Sequence, residues 1–427
     1  MGSFFLENFG CRATQAEGAA IASQLVACGY RPASRRQAEL VILNSCTVTA
    51  AADQDVRQAV YRIRRENPRA RIVIAGCYAQ RAPEEAAALP GVACVIGNSH
   101  KARLAELIAG IEALKPGCRI FVDRPEAAGW FAGSATESAV GERTRPNLKI
   151  QDGCSFHCSF CIIPAVRGPS RSAPPEWVVE QVRRLSRQYC EIVLSGISLG
   201  RWGRDLPGRL RLVNLLRRLL DETEVQRLRL SSIEPMDLSD ELLELMASSG
   251  RIARHIHAPL QSGSDSVLRR MRRWYRTRHY AERILRARAK MPDAAIGADV
   301  MVGFPGESEE EFEQTVRFIE SLPFTYLHVF SYSARPGTPA ATMPGQVPLR
   351  VRKQRNRILR ELAARKNLEF RRQMLGRSLS VVTLERPLAA LSDNYLRVKL
   401  ARPRQPNRIV EVQIGGLTAD GVCERAQ

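Results

Sequence analysis

Over the first 120 positions, short unbroken apolar runs alternate with longer stretches of helical periodicity. FFLENF, LVILNS, RIVIAG and VACVIG are the runs; GAAIASQLVACGY, AADQDVRQAVYRIRREN, APEEAAALP and KARLAELIAGIEAL are the helical stretches between and after them. Strands without polar alternation are buried on both faces, so residues 1–121 are expected to form a parallel-sheet βα domain. Residues 122–145 are rich in Gly, Ala, Ser and charge and read as a linker. A second βα series spans 146–349, with EIVLSGISLG, RLRLSSIEP, HIHAPLQSGSD, AIGADVMVGFPGE and YLHVFSYSARPGT as strand-then-loop segments. That is too many units for a small dinucleotide fold, and it suits a full or partial (β/α) barrel with its chemistry at the C-terminal strand ends. Residues 350–376 read as one basic helix. In 377–427, SLSVVTLERP, NYLRVKLA and RIVEVQIGG read as short strands of a small β-barrel. The fold class is α/β.

Charge adds a partner. The 64 Lys and Arg exceed the 44 Asp and Glu, for a net charge of +20. Residues 350–377 hold eleven basic residues against two Glu, and 269–290 are similarly basic. Two such stretches beside domains that carry chemistry point to a polyanion, RNA or DNA. The N-terminal MGSFFLENFGCRATQ has no basic region leading into a long apolar run, so neither a signal peptide nor a membrane span is expected. Eleven cysteines at uneven spacings argue against a secreted disulfide scaffold and for a reducing cytoplasm.

The cysteines carry the chemistry. Cys154, Cys158 and Cys161 form C-x3-C-x2-C within LKIQDGCSFHCSFCIIPAVRG. Three thiolates on one loop can hold three irons of a cubic cluster and leave the fourth open to a cofactor that is bound and cleaved. Structural zinc would want a fourth ligand. His157 lies awkwardly between two ligands, and no partnering C-x2-C exists elsewhere. Cys11, Cys46 and Cys77 each follow the C-terminal end of an expected strand, so they share one sheet edge and make a second three-thiolate site. Cys28, Cys94 and Cys190 read as ordinary buried thiols. Phe160 lies between two ligands, where it would pack on the cluster, on adenine or in a core. Ser195, Gly196, Glu234, Gln261 and Asp299 are candidates at strand ends, against the alternative of a barrel-end network or helix cap. Arg335 would contact an anion or brace a turn. His255 and His257 share one strand face and read as structural.

With these motifs in hand, the chain resembles the radical S-adenosylmethionine (SAM) methylthiotransferases over nearly its full length. That family has an N-terminal three-cysteine domain, a radical SAM barrel and a C-terminal TRAM domain. LKIQDGCSFHCSFCIIPAVRGPSRS, RLSSIEP, HAPLQSGSD, ADVMVGFPGE and FSYSARPGTPA resemble the branch that acts on N6-threonylcarbamoyladenosine at tRNA position 37. One departure is FGCRATQ, where Ala13 and Thr14 replace the usual pair of LGCKVNQ. The resemblance implies that Cys154, Cys158 and Cys161 hold a [4Fe–4S] cluster that binds SAM and releases a 5′-deoxyadenosyl radical. It implies that Cys11, Cys46 and Cys77 hold a second [4Fe–4S] cluster carrying the sulfur, with one SAM as methyl donor and one as radical source. Phe160, Ser195, Gly196, Glu234, Gln261 and Asp299 would surround SAM. The implied partners are a tRNA anticodon stem-loop, an electron donor such as flavodoxin or ferredoxin, and an unidentified sulfur donor, in the cytoplasm. Isopentenyladenosine in tRNA, a ribosomal-protein aspartate, or a non-catalytic RNA-binding metal protein are the competing readings.

Overall fold

The computed structural model describes residues 2–111, 117–125 and 144–426. The expected linker falls mostly on 126–143, outside the described residues. Six parallel strands build the N-terminal sheet, in the order Arg31–Pro32, Ser3–Asn8, Leu40–Ser45, Arg71–Gly76, Val92–Ile96, Arg119–Phe121. The two-residue edge strand has no apolar run and the three-residue one lies in a run of only three, Ile120 to Val122, too short to stand out. Helices cover both faces. Ile21 and Leu25 of helix Arg12–Ala27 pack on one face with Ile42 and Ile96, and Val56, Val60 and Ile63 of helix Ala50–Glu66 pack on the other with Val41 and Ile74.

The central domain is an open barrel of six parallel strands. Asn147–Asp152, Glu191–Gly196 and Arg227–Leu230 pair in one sheet, which also carries the short antiparallel strand Arg171–Ser172. His255–His257, Ala295–Val302 and Tyr326–Ser331 pair in the other. The Leu228–Ile252 bridge and the Ile233 N–H bond to the His257 carbonyl at 2.9 Å join the two sheets. Alternate residues face outward into one helix-covered core that holds Leu148, Ile150, Ile192, Leu194, Leu228, Leu230, Ile296, Ala298 and Val300. The intervening positions face inward and are largely polar: Lys149, Gln151, Ser195, Arg229, His255, His257, Asp299, Tyr326 and His328.

Helix Leu349–Gln373 lies along the last barrel strand. Asn356 and Asn367 donate to the carbonyls of Val329 and Thr325 at 3.2 and 3.0 Å. Its far end delivers Phe370 into the core of a closed barrel of five strands, Ser378–Thr383, Ala389–Ser392, Arg397–Lys399, Val422–Glu424 and Ile409–Leu417. Two of these five were not legible as separate strands. No described helix is long and apolar enough to cross a membrane.

Two contacts set the N-terminal domain against the barrel. On one side, buried Glu17 accepts from Lys149 and Arg167 at 2.9 and 2.7 Å. On the other, Arg335 pairs with Asp53 and donates to Thr47 at 3.0 Å, while the Ala50 N–H donates to Ser333 Oγ at 3.0 Å. The domain therefore bridges the gap between the first and last barrel strands. Arg335 is an interdomain strut that meets a protein carboxylate, not a cofactor anion.

Candidate active site

Strand Asn147–Asp152 ends in a loop held by its own backbone. Gly153 has φ +68°, and a Cβ there would lie 1.9 Å from the Pro169 carbonyl oxygen, so only glycine permits this approach. Gln151 then spans the loop: its Nε2 donates to the Gly153 carbonyl and Ser170 Oγ, both at 2.9 Å, and its Oε1 accepts from the Ser198 N–H at 2.6 Å. Gly196 packs on Gln151, where a Cβ would come within 2.9 Å. These contacts carry Cys154, Cys158 and Cys161 at the C-terminal end of the barrel. Burial, with the neighbouring thiols, raises Cys154 to about 11 and Cys161 to about 12.

Arg273 faces this loop. It donates to Cys158 Sγ at 3.4 Å and Tyr275 Oη at 3.2 Å, and it pairs with Glu234. Burial raises the Glu234 carboxyl while Arg273 opposes that rise. Sequence reasoning missed Arg273 because it lies in the basic run 269–290. Burial alternates through that loop, with Arg272 and Trp274 exposed and Met271, Arg273 and Tyr275 buried. Met271, Arg272 and Trp274 gave no warning of it.

The second triad forms at the sheet edge. Cys11 immediately precedes the first helix, Cys46 follows its strand, and Cys77 opens the short helix Cys77–Arg81. Gly10, at φ +109°, lets Cys46 approach so closely that a Cβ would meet Cys46 Cβ at 2.5 Å. Burial first, then the Cys77 and Cys11 thiols, raise Cys46 to about 12. Cys77 packs against Ile162 and Val166, directly after Cys161, and Asn98 Nδ2 links Cys77 Sγ at 3.4 Å to the Val166 carbonyl at 2.8 Å. The two triads are thus neighbours across the domain boundary.

The donor chemistry fits clusters better than zinc. Among the described residues, neither triad brings three ligand atoms within 4.8 Å of one another. One tetrahedral zinc would draw its sulfurs to about 3.8 Å apart, from Zn–S bonds of about 2.3 Å. A wider three-thiolate frame suits a multi-iron cubane, and loading it would expel the thiol protons. The only described group within that limit is His257, Asp299 and His328.

The remaining candidates divide. Ser195 is buried and donates to the Leu148 carbonyl at 3.3 Å. Gln261 adopts φ +67°, uncommon for a residue with a side chain, and its backbone bonds the Asp299 carbonyl and the Met301 N–H at 2.8 Å each. Phe160 packs on Val267, Met271, Phe304 and Tyr332. Asp299 is not at a strand end: it is the fifth residue of Ala295–Val302, because that strand runs on to Val302. Its Oδ1 accepts from His257 and His328 at 3.0 and 3.3 Å, and although burial opposes it, these partners hold the carboxyl well below its usual range. His255 and His257 share the Tyr326 hydroxyl at 2.7 and 2.9 Å. Exposed His157 takes no part, and Cys28 is exposed at the end of the first helix rather than buried, while Cys94 and Cys190 are buried.

Comparison with known proteins matches this geometry. Residues 148–319 match the Radical SAM superfamily, and residues 3–97 match Uncharacterized protein family UPF0004. The chain is 36% identical to the threonylcarbamoyladenosine tRNA methylthiotransferase MtaB of Aquifex aeolicus, over 96% of this chain and 99% of that protein. It belongs to the radical SAM methylthiotransferase family. The MtaB of Bacillus subtilis is 37% identical over 93% of this chain and 90% of its own. The tRNA-2-methylthio-N(6)-dimethylallyladenosine synthase of Syntrophobacter fumaroxidans is 34% identical over 96% and 89%. Among solved structures, the radical SAM methyltransferase TsrM of Kitasatospora setae shares the fold with TM-score 0.55 at 15% identity, over 79% of this chain and 76% of that one. The methylthiotransferase family uses SAM and [4Fe–4S] clusters, and this chain is an enzyme of that class.

Proposed function

We propose that this methylthiotransferase converts N6-threonylcarbamoyladenosine at tRNA position 37 to its 2-methylthio derivative. The observation that carries the reading is the packing of Cys77 with Ile162, the residue after Cys161, which makes the two cysteine triads neighbours. Cys154, Cys158 and Cys161 would hold one cluster and Cys11, Cys46 and Cys77 the other. When bound, these groups with SAM supply one-electron cleavage of a sulfonium bond and the sulfur that is methylated.

The chain's own residues do the rest. Arg273 presents a guanidinium beside Cys158, placed to take the SAM carboxylate, and Glu234 holds that guanidinium in line. Gln151 and Gly196 fix the ligand loop against the next strand end, where backbone can approach SAM. Gln261 and Phe160 border the same end of the barrel. The Asp299 network stiffens the inner wall. Glu17 and Arg335 hold the N-terminal domain over the open side and exclude water. The choice of threonylcarbamoyl substrate follows end-to-end likeness to relatives that carry that name.

RNA would be gripped by the long basic helix. Arg350, Lys353, Arg357 and Arg360 are exposed and fall within about 80° of one helix face at 100° per residue. An anticodon loop, already unpaired, can deliver its adenine into the cleft. Reduction by a flavodoxin or ferredoxin in the cytoplasm completes the reading. The test is mass spectrometry of tRNA nucleosides from cells with and without this gene. Loss of the 2-methylthio-threonylcarbamoyl nucleoside with accumulation of its precursor is expected; loss of the isopentenyl derivative instead would overturn the substrate.

A further inference from the structure

Arg12 opens the first helix, one residue after Cys11. Its Nη2 donates to the Tyr395 hydroxyl at 3.0 Å, and its guanidinium lies 5.8 Å from the centre of that ring. Tyr395 comes from the C-terminal barrel and stacks on His255 with ring centroids 4.2 Å apart. His255 in turn bonds Tyr326 on the inner barrel wall. Arg12 therefore sits where all three domains meet.

Other cations at the domain boundaries differ from it in one respect. Arg145, Arg227 and Arg229 all converge on Glu191. Arg167 and Lys149 converge on Glu17 and Asp152, and Arg335 on Asp53. Among the described residues Arg12 has no acidic partner and one hydrogen bond, which leaves four of its five N–H groups without a partner there. Around it stand Tyr395, Tyr326 and His255, the last kept neutral by burial and the nearby Arg229 and Arg12 charges. A half-buried guanidinium facing neutral rings is a receptor for a carboxylate, which it can meet with two parallel N–H bonds.

The chemistry of the substrate supplies that carboxylate in reach. The threonylcarbamoyl group hangs from N6, and the reacting C2 lies on the same six-membered ring. A group that reads the threonine carboxylate must therefore lie near the thiolates that serve C2. Arg12 meets that requirement, since adjacent Cα atoms are about 3.8 Å apart and its neighbour is Cys11.

We propose that Arg12 binds the carboxylate of the threonylcarbamoyl group and so sets the preference for this nucleoside over one with an apolar N6 substituent. The inference rests on the substrate assigned above. It is tested with cluster-loaded full-length protein and three synthetic anticodon stem-loops, carrying the threonylcarbamoyl nucleoside, its neutral carboxamide analogue, or the isopentenyl nucleoside. Kd is read by fluorescence anisotropy and methylthiolation by mass spectrometry. The wild type is expected to bind the carboxylate roughly 10–100-fold more tightly than the carboxamide, the range for a charge-assisted hydrogen bond. Arg12→Gln should bind the two alike at the wild-type carboxamide level, and Arg12→Lys should recover part of the discrimination. Equal weakening of both RNAs by Arg12→Gln, or no change in either, would overturn the role of Arg12 and leave the substrate assignment standing. Wild-type methylthiolation of the isopentenyl RNA alone would instead overturn the substrate assignment, and this inference with it.

Discussion

Glu17→Gln tests whether buried charge holds the N-terminal domain on the barrel. Glu17 is 2% exposed and accepts from Lys101 at 2.7 Å, Lys149 at 2.9 Å and Arg167 at 2.7 and 3.2 Å. Asp152 shares Lys149 and Arg167, so two carboxylates face three buried cations, with the partly exposed Arg171 3.9 Å from Asp152 as a fourth. The substitution leaves the three buried cations against one carboxylate, and Lys101 then has no acidic partner among the described residues. An uncompensated buried charge costs about 3–5 kcal/mol. In urea, at about 3 kcal/mol per molar, the midpoint of the metal-free chain should fall by roughly 1–1.7 M by circular dichroism. The pH dependence has a definite sign. Burial would raise the Glu17 carboxyl, yet Arg167, Lys101 and Lys149 outweigh it and hold the pKa well below the ordinary value. Stability from a depressed carboxylate is fully present above its unfolded pKa and is lost as pH falls toward the folded one, so the variant should also lose part of its acid sensitivity. Adding Lys101→Met removes the orphaned cation and should recover at least about 1 kcal/mol. A midpoint shift under about 0.3 M, or a double variant less stable than the single one, would refute the argument.

Three further outcomes follow from the geometry. Gly10→Ala places a methyl 2.5 Å from Cys46 Cβ at a left-handed φ, so reconstituted protein should lose about half its iron while SAM-dependent cleavage at the other triad persists; full iron content would contradict the proposed ligand set. Glu191, buried among Arg229, Arg145 and Arg227, is lowered from 4.5 to about 2, which corresponds to roughly 3 kcal/mol present above about pH 4.5 and lost as pH falls toward 2. Glu191→Gln should therefore flatten the acid limb of the unfolding midpoint, and an unchanged limb would place the titration elsewhere. Replacing Arg350, Lys353, Arg357 and Arg360 with Gln should weaken RNA binding and reduce its log–log salt slope by roughly 3, at about 0.7 per phosphate contact; an unchanged slope would remove this helix from the interface.

What the sequence made legible was whatever depends on neighbours along the chain. Unbroken apolar runs gave the longer strands because burial on both faces leaves no polar position, and C-x3-C-x2-C placed three thiolates on one loop whatever lies around it. Cys11, Cys46 and Cys77 could be united only because parallel topology puts every strand's C-terminal end on one edge. The residues that complete the site escaped because their roles are tertiary. Arg273 and Arg272 are adjacent and identical in type, yet one touches Cys158 and the other faces solvent. Glu17, on the buried side of its helix one turn before Ile21, owes its role to Lys149 and Arg167, more than a hundred residues on. In a chain with 64 basic residues, type alone cannot separate a buried charge from a solvated one. The discriminating feature is a carboxylate positioned by a different domain. The same logic singles out Arg12 from the other side: where Arg145, Arg227, Arg229, Arg167 and Arg335 each have an internal carboxylate, the one without such a partner among the described residues marks where the chain leaves room for a carboxylate from outside.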